Sequence, residues 1–464
     1  MKKLLLTLSA LSIMAIGGDI ENAQNAIKAK HYDKALSILK KAMRKGNPRA
    51  SFLLGKLYLK GIGIDKSKEK DLLLLKQSSP GDTDAQSFLG LLYFERENYD
   101  KAIAYFKASA EQGDTISQVY LGEIYQNGIG VKKDYKKAIH YYKKAIAQGG
   151  NYPEASIHAQ NNLADMYRSG QGVKRDFQKA LKLYEKGAKV GDATSQYSLG
   201  NMYDLGEGVK TDHKKAAECY TMAAKQGIVS AQMNLGIMYQ HGNGVKQDYK
   251  KAVKWYLKAA EQGLPRAQSM LGTLYEKGLG VKQDDKKAVK WHQKASEQGE
   301  AKSLNRLGTM YYTGKGIKQD YTKAVACYTK AADQGYAVAQ TNLGIMYYLG
   351  KGVKQDYKQA AQCYQKAADQ QDSQAQHNLG LMYGEGQGVA QDYKKAAKLM
   401  HKAAEQGYTP SQFSVGVLYY KGQGVKQNKI KAYEYWVMAA KEGDISAQKN
   451  LDMLCKESPW ICRQ

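Results

Sequence analysis

Three Ser-x-x-Lys quartets, Ser37–Lys40, Ser67–Lys70 and Ser446–Lys449, are the nearest this sequence comes to a serine nucleophile with an amine base. Serine acyl-transfer enzymes of that type complete the site with Ser-Asp-Asn and Lys-Thr-Gly; neither occurs here, and nothing else supplies a base held beside the hydroxyl. With 70 Lys and Arg residues, chance matches to such a quartet are expected. The eight histidines (His31, His140, His158, His213, His241, His292, His377 and His401) are scattered, without His-Glu-x-x-His or a paired Cys-x-x-Cys. No metal site is indicated and no cofactor is expected. Gly-x-Gly recurs ten times, but each copy follows a helical pattern rather than a strand, so these are turns and not phosphate cradles.

The five cysteines fall into two groups. Cys219, Cys327 and Cys363 share one phase with Trp255, Trp291 and Leu399, since the spacings are multiples of 36. A position that accepts Cys, Trp or Leu is a packing position, and buried thiols are expected there. Cys455 and Cys462 stand near the end of the chain around Pro459, where a disulfide locking the last turn is expected if the protein is exported.

Composition limits what these residues can belong to. The 464 residues are 43% hydrophobic and 25% charged, a globular composition, with 46 Gly against 6 Pro and 36 Tyr against 6 Phe. The formal charge of +26 invites a nucleic-acid reading. Residues 1–17 argue against it. Lys2 and Lys3 precede an uncharged, mostly apolar run from Leu4 to Ile16, then Gly17, Gly18 and Asp19, the layout of a secretory signal peptide. The run is too short for a transmembrane helix. Export to the periplasm or the medium, with no nucleic-acid partner and no transmembrane segment, is therefore expected.

The elements that must position any site come from a repeat. An anchor position recurs at Leu54, Leu89, Leu121, Leu163, Leu199, Leu235, Leu271, Leu307, Leu343, Leu379, Val415 and Leu451, and every interval from Leu163 onward is 36 residues. In residues 231–263, Ala231, Leu235 and Tyr239 make one face of a first helix, the glycines at 242 and 244 break the chain, and Asp248 caps a second helix. Tyr249, Ala252, Tyr256, Ala259 and Ala260 give that helix its apolar face, and Gly263 ends it. Gly236, beside the anchor, is expected at a close helix contact. Pro410 suits the opening turn of a first helix. One such hairpin cannot bury its apolar face alone, so neighbours must stack.

The pattern small-Gln-x-x-Leu-Gly-x-x-Tyr-x-x-Gly-x-Gly-Val-x-x-Asp-x-x-x-Ala-x-x-x-Tyr-x-x-Ala-Ala-x-x-Gly, running over about residues 48–455, resembles the Sel1-like repeat, a relative of the tetratricopeptide repeat. The resemblance implies an all-α fold, an α/α solenoid wound as a right-handed superhelix, here of about eleven 36-residue hairpins, and a scaffold or adaptor role. Some cysteine-rich relatives are recorded as binding or hydrolysing β-lactams. They carry a cysteine pair in nearly every repeat and this chain does not, so an enzyme is not expected and β-lactam chemistry stays the least favoured alternative.

The expected organisation is a signal peptide at 1–17, a capping helix pair at 18–47, the repeat array at 48–447 and a capping helix with the possible disulfide at 448–464. Departures from the repeat are local. Residues 91–104 lack the glycine loop and approach a tetratricopeptide hairpin. Residues 64–78 match a second helix poorly, an insertion at 149–158 should lengthen a loop, and Asp452 replaces the glycine that follows most anchors.

Analogy with tetratricopeptide arrays places the first helices on a concave face. The residue before the anchor is Asn162, Asn234, Asn342, Asn378 or Asn450 in five units, but Met270 and Arg306 in two others. Asn162, Asn234, Met270, Arg306, Asn342 and Asn378 are the candidate partner contacts, with a row of glutamines (Gln232, Gln268, Gln340, Gln376, Gln412, Gln448) three residues before the anchor as a possible clamp for a peptide backbone. Lys250, Lys254 and Lys258 form a stripe opposite the apolar face of a second helix, so much of the positive charge decorates the outer wall. The expected function is a non-enzymatic secreted or periplasmic scaffold that binds a protein or peptide, in envelope regulation or host contact. A basic binder of anionic envelope polymers is the alternative, and a weak attraction to anionic surfaces is compatible with either.

Overall fold

The computed structural model describes residues 18–62, 68–149 and 152–461, which are helical apart from turns and short connections. The expected leader at 1–17, Ser67 and Cys462 lie outside the described residues. Among the described residues the helices pair in sequence order into twelve hairpins, from Gly18–Lys28 with Tyr32–Arg44 to Thr409–Lys421 with Lys429–Lys441, followed by the single helix Ile445–Glu457. Setting aside the first pair, eleven hairpins form the array, and the α/α solenoid expected from the repeat is the fold. The chain divides into two compact units, 1–231 and 232–464, with the division inside the helix Val229–His241.

One hairpin of the second unit shows how the sequence dictates the local structure. Pro265 opens the helix Pro265–Lys277, where a missing N–H costs nothing. Gly278, in the left-handed region at φ 67°, closes it by donating its N–H to the Leu274 carbonyl. The Asp284 N–H then donates to the Tyr275 carbonyl, tying the loop back to the end of the first helix. The Asp284 carboxylate accepts from Lys287 N at 2.9 Å, capping the second helix Asp285–Glu297. Gly280 is required twice over. Its φ is +73°, and a Cβ there would strike the carbonyl group of Tyr249, because the loop lies on the start of the second helix of the preceding hairpin.

Packing between the two helices of a hairpin rests on the residue after the anchor. The Tyr256 ring lies flat on Gly236, where a Cβ would sit 2.5 Å from the ring. Gly308 under Tyr328 and Gly344 under Tyr364 repeat the arrangement, and His292, Met400 and Trp436 take the ring's place over Gly272, Gly380 and Gly416. The ring position thus packs within its own hairpin. Successive hairpins of the second unit are joined by small cores. Ala324, Val325 and Tyr328 with Leu343 and Met346 form one, and Ala360, Ala361 and Tyr364 with Leu379 and Met382 form another. In the first unit a single apolar cluster richer in Leu, Ile and Phe runs from Ile20 to Met166.

The departures from the repeat have structural counterparts. The glycine-free unit is the hairpin Thr83–Glu95 with Tyr99–Glu111, joined by a short turn. Residues 68–78 do form a second helix, Lys68–Ser78, despite their poor match. The insertion behaves differently from expectation: besides the connection before it, part of it lengthens the following helix, since Pro153–Ser169 has 17 residues where the other first helices of the array have 13. Pro153 starts that helix early because it is pre-set for a first turn. Asp452 is exposed and accepts from Gln448 Nε2, which it can do because no second helix packs on Ile445–Glu457 among the described residues.

A candidate partner-binding face on the first helices

Most positions that repeat along the chain are engaged in holding it together. In the second unit, Gln262, Gln298, Gln370 and Gln406 at the ends of second helices donate to Gln232, Gln268, Gln340 and Gln376 at 2.9–3.0 Å. Gln268, Gln340 and Gln376 in turn donate to the carbonyls of Ala260, Ala332 and Ala368 in the preceding hairpin. Gln232, Gln268, Gln340 and Gln376 are thus buried struts between hairpins rather than a clamp for a peptide, while Gln448 at the end of the row is exposed. At the start of four second helices of this unit a lysine meets both a carboxylate and a ring. Lys251 Nζ stands 3.8 Å from Asp248 and 5.2 Å from the centre of the Tyr239 ring, and Lys287, Lys323 and Lys395 repeat this with their own Asp and Tyr. One lysine per such hairpin is therefore paired, whereas Lys250, Lys254 and Lys258 are exposed as the stripe predicted.

All six candidate contact residues are half-buried on first helices. Their amides have partners within the chain in three cases. Asn162 donates to Tyr142 Oη at 3.3 Å and approaches Glu123, Asn342 donates to Asn305 at 2.9 Å, and Asn378 is hydrogen-bonded to the Tyr364 hydroxyl. These asparagines link each hairpin to the one before it. Asn234 is half-buried without further distinction.

Arg306 breaks that pattern for a reason visible in the ring position of the preceding hairpin, whereas nothing in the structure explains Met270: the Tyr256 hydroxyl donates to Gln240 Oε1 at 3.0 Å, as that of Tyr142 donates to Gln126 while still accepting from Asn162. Before Arg306 the ring is His292, which is buried and has no hydroxyl at all. His292 Nδ1 lies 3.2 Å from Ser303 Oγ, while His292 Nε2 and Glu276 Oε2 are buried without a hydrogen-bond partner in the protein. Burial, aided by the nearby Arg306 and Lys302 charges, holds the His292 pKa down to about 4, so the imidazole is neutral. Arg306 is left with a long 4.0 Å approach to Glu276 and a side chain 38% exposed.

Helical spacing adds companions that sequence reading did not single out. Arg266, Thr273 and Lys277 share the face of Met270, and Lys302, Thr309 and Thr313 share that of Arg306. On the next two first helices the same positions carry Val338, Ile345 and Leu349, then Gln374, Leu381 and Glu385. Val338, Leu349 and Leu381 are 43%, 45% and 38% exposed, unlike the apolar residues on the opposite side of those helices. The signal was present in the sequence as apolar residues in the phase where the two preceding units carry Arg, Lys and Thr.

Among the described residues the Ser-x-x-Lys side chains and the cysteines occupy separate positions and assemble no site. Ser37, Lys40, Ser446 and Lys449 are exposed on helices. Cys219 is buried and its thiol is pushed up to about 11, and burial raises Cys327 and Cys363 as well, although these two are only partly covered. All three are free, and Cys455 is disulfide-bonded. No group of three or more His, Cys, Asp or Glu among the described residues could hold a metal ion. No helix among them is long and apolar enough to cross a membrane.

Comparison with family models matches the Sel1 repeat at residues 48–70, 115–150 and 157–192, then in seven contiguous blocks from 193 to 444. A tetratricopeptide repeat matches 73–115, where the glycine loop is missing. Among solved structures, a protective antigen present in uropathogenic Escherichia coli strains, described as displaying an SLR fold, is 33% identical with a TM-score of 0.80 over 91% of this chain and 90% of that one. A Sel1 repeat protein from Oxalobacter formigenes is 32% identical with a TM-score of 0.53, over 68% of this chain and 89% of that one. DAP3-binding cell death enhancer 1 of Rattus norvegicus is 37% identical over 92 residues, 19% of this chain, which thus spans 18% of that protein's length.

Proposed function

The chain belongs to the Sel1-repeat family, whose repeats mediate protein–protein interaction, and we propose that it is a secreted or periplasmic scaffold that holds a segment of a partner protein along its first helices and has no chemistry of its own. The observation that carries this reading is the division of labour between positions. Those that recur (ring, glycine, glutamine, capping Asp and its lysine) are bonded within the chain, while those that differ from hairpin to hairpin lie half-buried or exposed on one side of the first helices. A pre-ordered surface of this kind binds through many modest contacts at small ordering cost.

The leader-like residues 1–17 support export. So does similarity, over most of both chains, to a protective antigen, since an antigen must be accessible to the host. Host contact or envelope regulation is the setting that fits. The exposed stripe Lys250, Lys254 and Lys258 favours a second reading, attraction to anionic envelope polymers, which predicts binding that collapses as salt rises. The test is capture of partners from envelope extract and from host lysate by the wild type and by an Arg306→Glu/Met270→Asp variant with unchanged melting. Loss of capture by the variant is expected. Full capture by it moves the binding face elsewhere on the molecule.

A further inference from the structure

The first-helix face of the second unit changes character abruptly along the array. Two adjacent hairpins contribute Arg266, Lys277, Lys302 and Arg306, and the next two contribute no cation at these positions but Val338, Ile345, Leu349 and Leu381. The faces adjoin, because Arg306 approaches Glu276 of the preceding first helix and Asn342 donates to Asn305. Arg266, Lys277 and Lys302 have no carboxylate within ion-pair distance among the described residues, and Arg306 has only its long contact. Lys302 and Arg306 stand four residues apart on one helix, a like-charge pair that costs the free protein some stability. Their combined field reaches the buried His292 beneath them. Lys251, Lys287, Lys323 and Lys395 at the starts of second helices are matched to carboxylates and the outer stripe faces water, whereas these four cations lie on the first-helix face beside an apolar stretch, where they complement an anionic and apolar ligand.

Resting on the reading of the first helices as the binding face, we propose that this stretch recognises an extended protein segment in which acidic residues are followed by large apolar ones, the carboxylates meeting Lys302 and Arg306 and the apolar side chains meeting Val338, Leu349 and Leu381. The spacing of the segment follows from the array. Packed helices stand about 8–10 Å apart, and an extended chain advances about 3.3 Å per residue, so one hairpin corresponds to about three residues of ligand. The first apolar residue falls about three positions from the acidic pair, and the second about three positions further. Charge complementarity sets the register and speeds the encounter, and the apolar contacts slow release.

The probe is a labelled peptide, Ser-Glu-Glu-Ser-Gly-Leu-Ser-Gly-Phe-Ser, titrated against the full chain by fluorescence anisotropy. Controls carry Lys-Lys for Glu-Glu, Ser for both apolar residues, or the same residues with the glutamates placed between Leu and Phe. The wild type should prefer the designed probe to every control by about tenfold or more. Lys302→Glu/Arg306→Glu should lose that preference and favour the Lys-Lys peptide instead, and Leu349→Ser/Leu381→Ser should weaken both charge versions alike. Equal binding of the interleaved peptide or of oligoglutamate overturns the proposal, the latter in favour of a plain anion binder. Hydrogen exchange separates the two levels of the argument. A bound probe that protects second helices instead of 265–277, 301–313 and 337–349 defeats the binding face itself. No probe binding by a wild type whose partner capture still depends on Arg306 and Met270 defeats the acidic-apolar preference and leaves the face standing.

Discussion

Gly236 and His292 show how a single side chain sets its surroundings. The Tyr256 ring on Gly236 leaves no room for a branched side chain. Ala164 stands at the equivalent position of an earlier hairpin, with Tyr184 bonded to Asp165, so one methyl can be tolerated with its own ring placement. Gly236→Leu should therefore cost about 1–3 kcal/mol in thermal or urea melts, whereas wild-type melting would mean the ring does not lie there. His292 makes stability depend on pH. Its ordinary pKa is near 6.5 and its folded value about 4, so the unfolded chain binds the extra proton in between. Stability is unaffected above about pH 6.5 and falls as pH drops toward 4, by up to about 3 kcal/mol from this residue. His377, also held near 4, adds to the same slope. His292→Tyr should remove its share, because the Tyr256 hydroxyl reaches the residue sixteen positions back, and the equivalent reach from 292 ends at Glu276, whose Oε2 has no protein partner. Urea melts at pH 7.5 and 5 for both proteins measure the difference. An unchanged slope in the variant excludes His292 as its source.

Many second helices begin on an aspartate whose carboxylate accepts a backbone N–H and, in most of these, whose charge holds a lysine over a first-helix tyrosine. At Asp320 the distances are 3.0 Å to Lys323 N and 3.5 Å to Lys323 Nζ. The lysine is exposed, so its ion pair adds little, and the cap carries most of the effect. Asp320→Ala should cost about 1 kcal/mol. Because each core joins only neighbouring hairpins in this unit, the loss should appear in hydrogen exchange of 301–333 and its neighbours and fade beyond them. A uniform rise in exchange over residues 232–461 would contradict that locality. The continuous apolar cluster from Ile20 to Met166 should make the first hairpins less separable.

For the molecule as a whole, the charge of +26 separates into populations with different meanings. Lysines at second-helix starts are paired, those of the outer stripe are solvated, and the cluster at 266–306 stands unmatched on the first-helix face. The array also has a marked end. Cys455 is disulfide-bonded on the last helix, Cys462 is its expected partner, and Ile461 is buried against Trp436 and Leu454. Mass mapping of unreduced protein should recover a Cys455–Cys462 peptide pair. Cys462→Ser should destabilise the terminal hairpin by about 2 kcal/mol, raising exchange in 429–457 and leaving the earlier hairpins unchanged. Free thiols at both positions would refute the clip.

The repeat by itself determined the helices, caps, turns and approximate hairpin count. Each depends on contacts a few residues apart, and Gly, Pro and Asp act at fixed offsets within one unit. Asp452 is a telling case, since the glycine gives way where, among the described residues, no second helix packs on the position. What only the tertiary structure decided is which recurring polar residues are consumed by neighbouring hairpins. Gln268 and Asn342 read from sequence as amides that either meet a ligand or bond between hairpins, and both turn out bonded to residues about thirty or more positions away. Arg306 emerges as an exception because His292, in the ring position of the hairpin before it, offers no hydroxyl. Such pairings join side chains from different helices, so local pattern cannot report them.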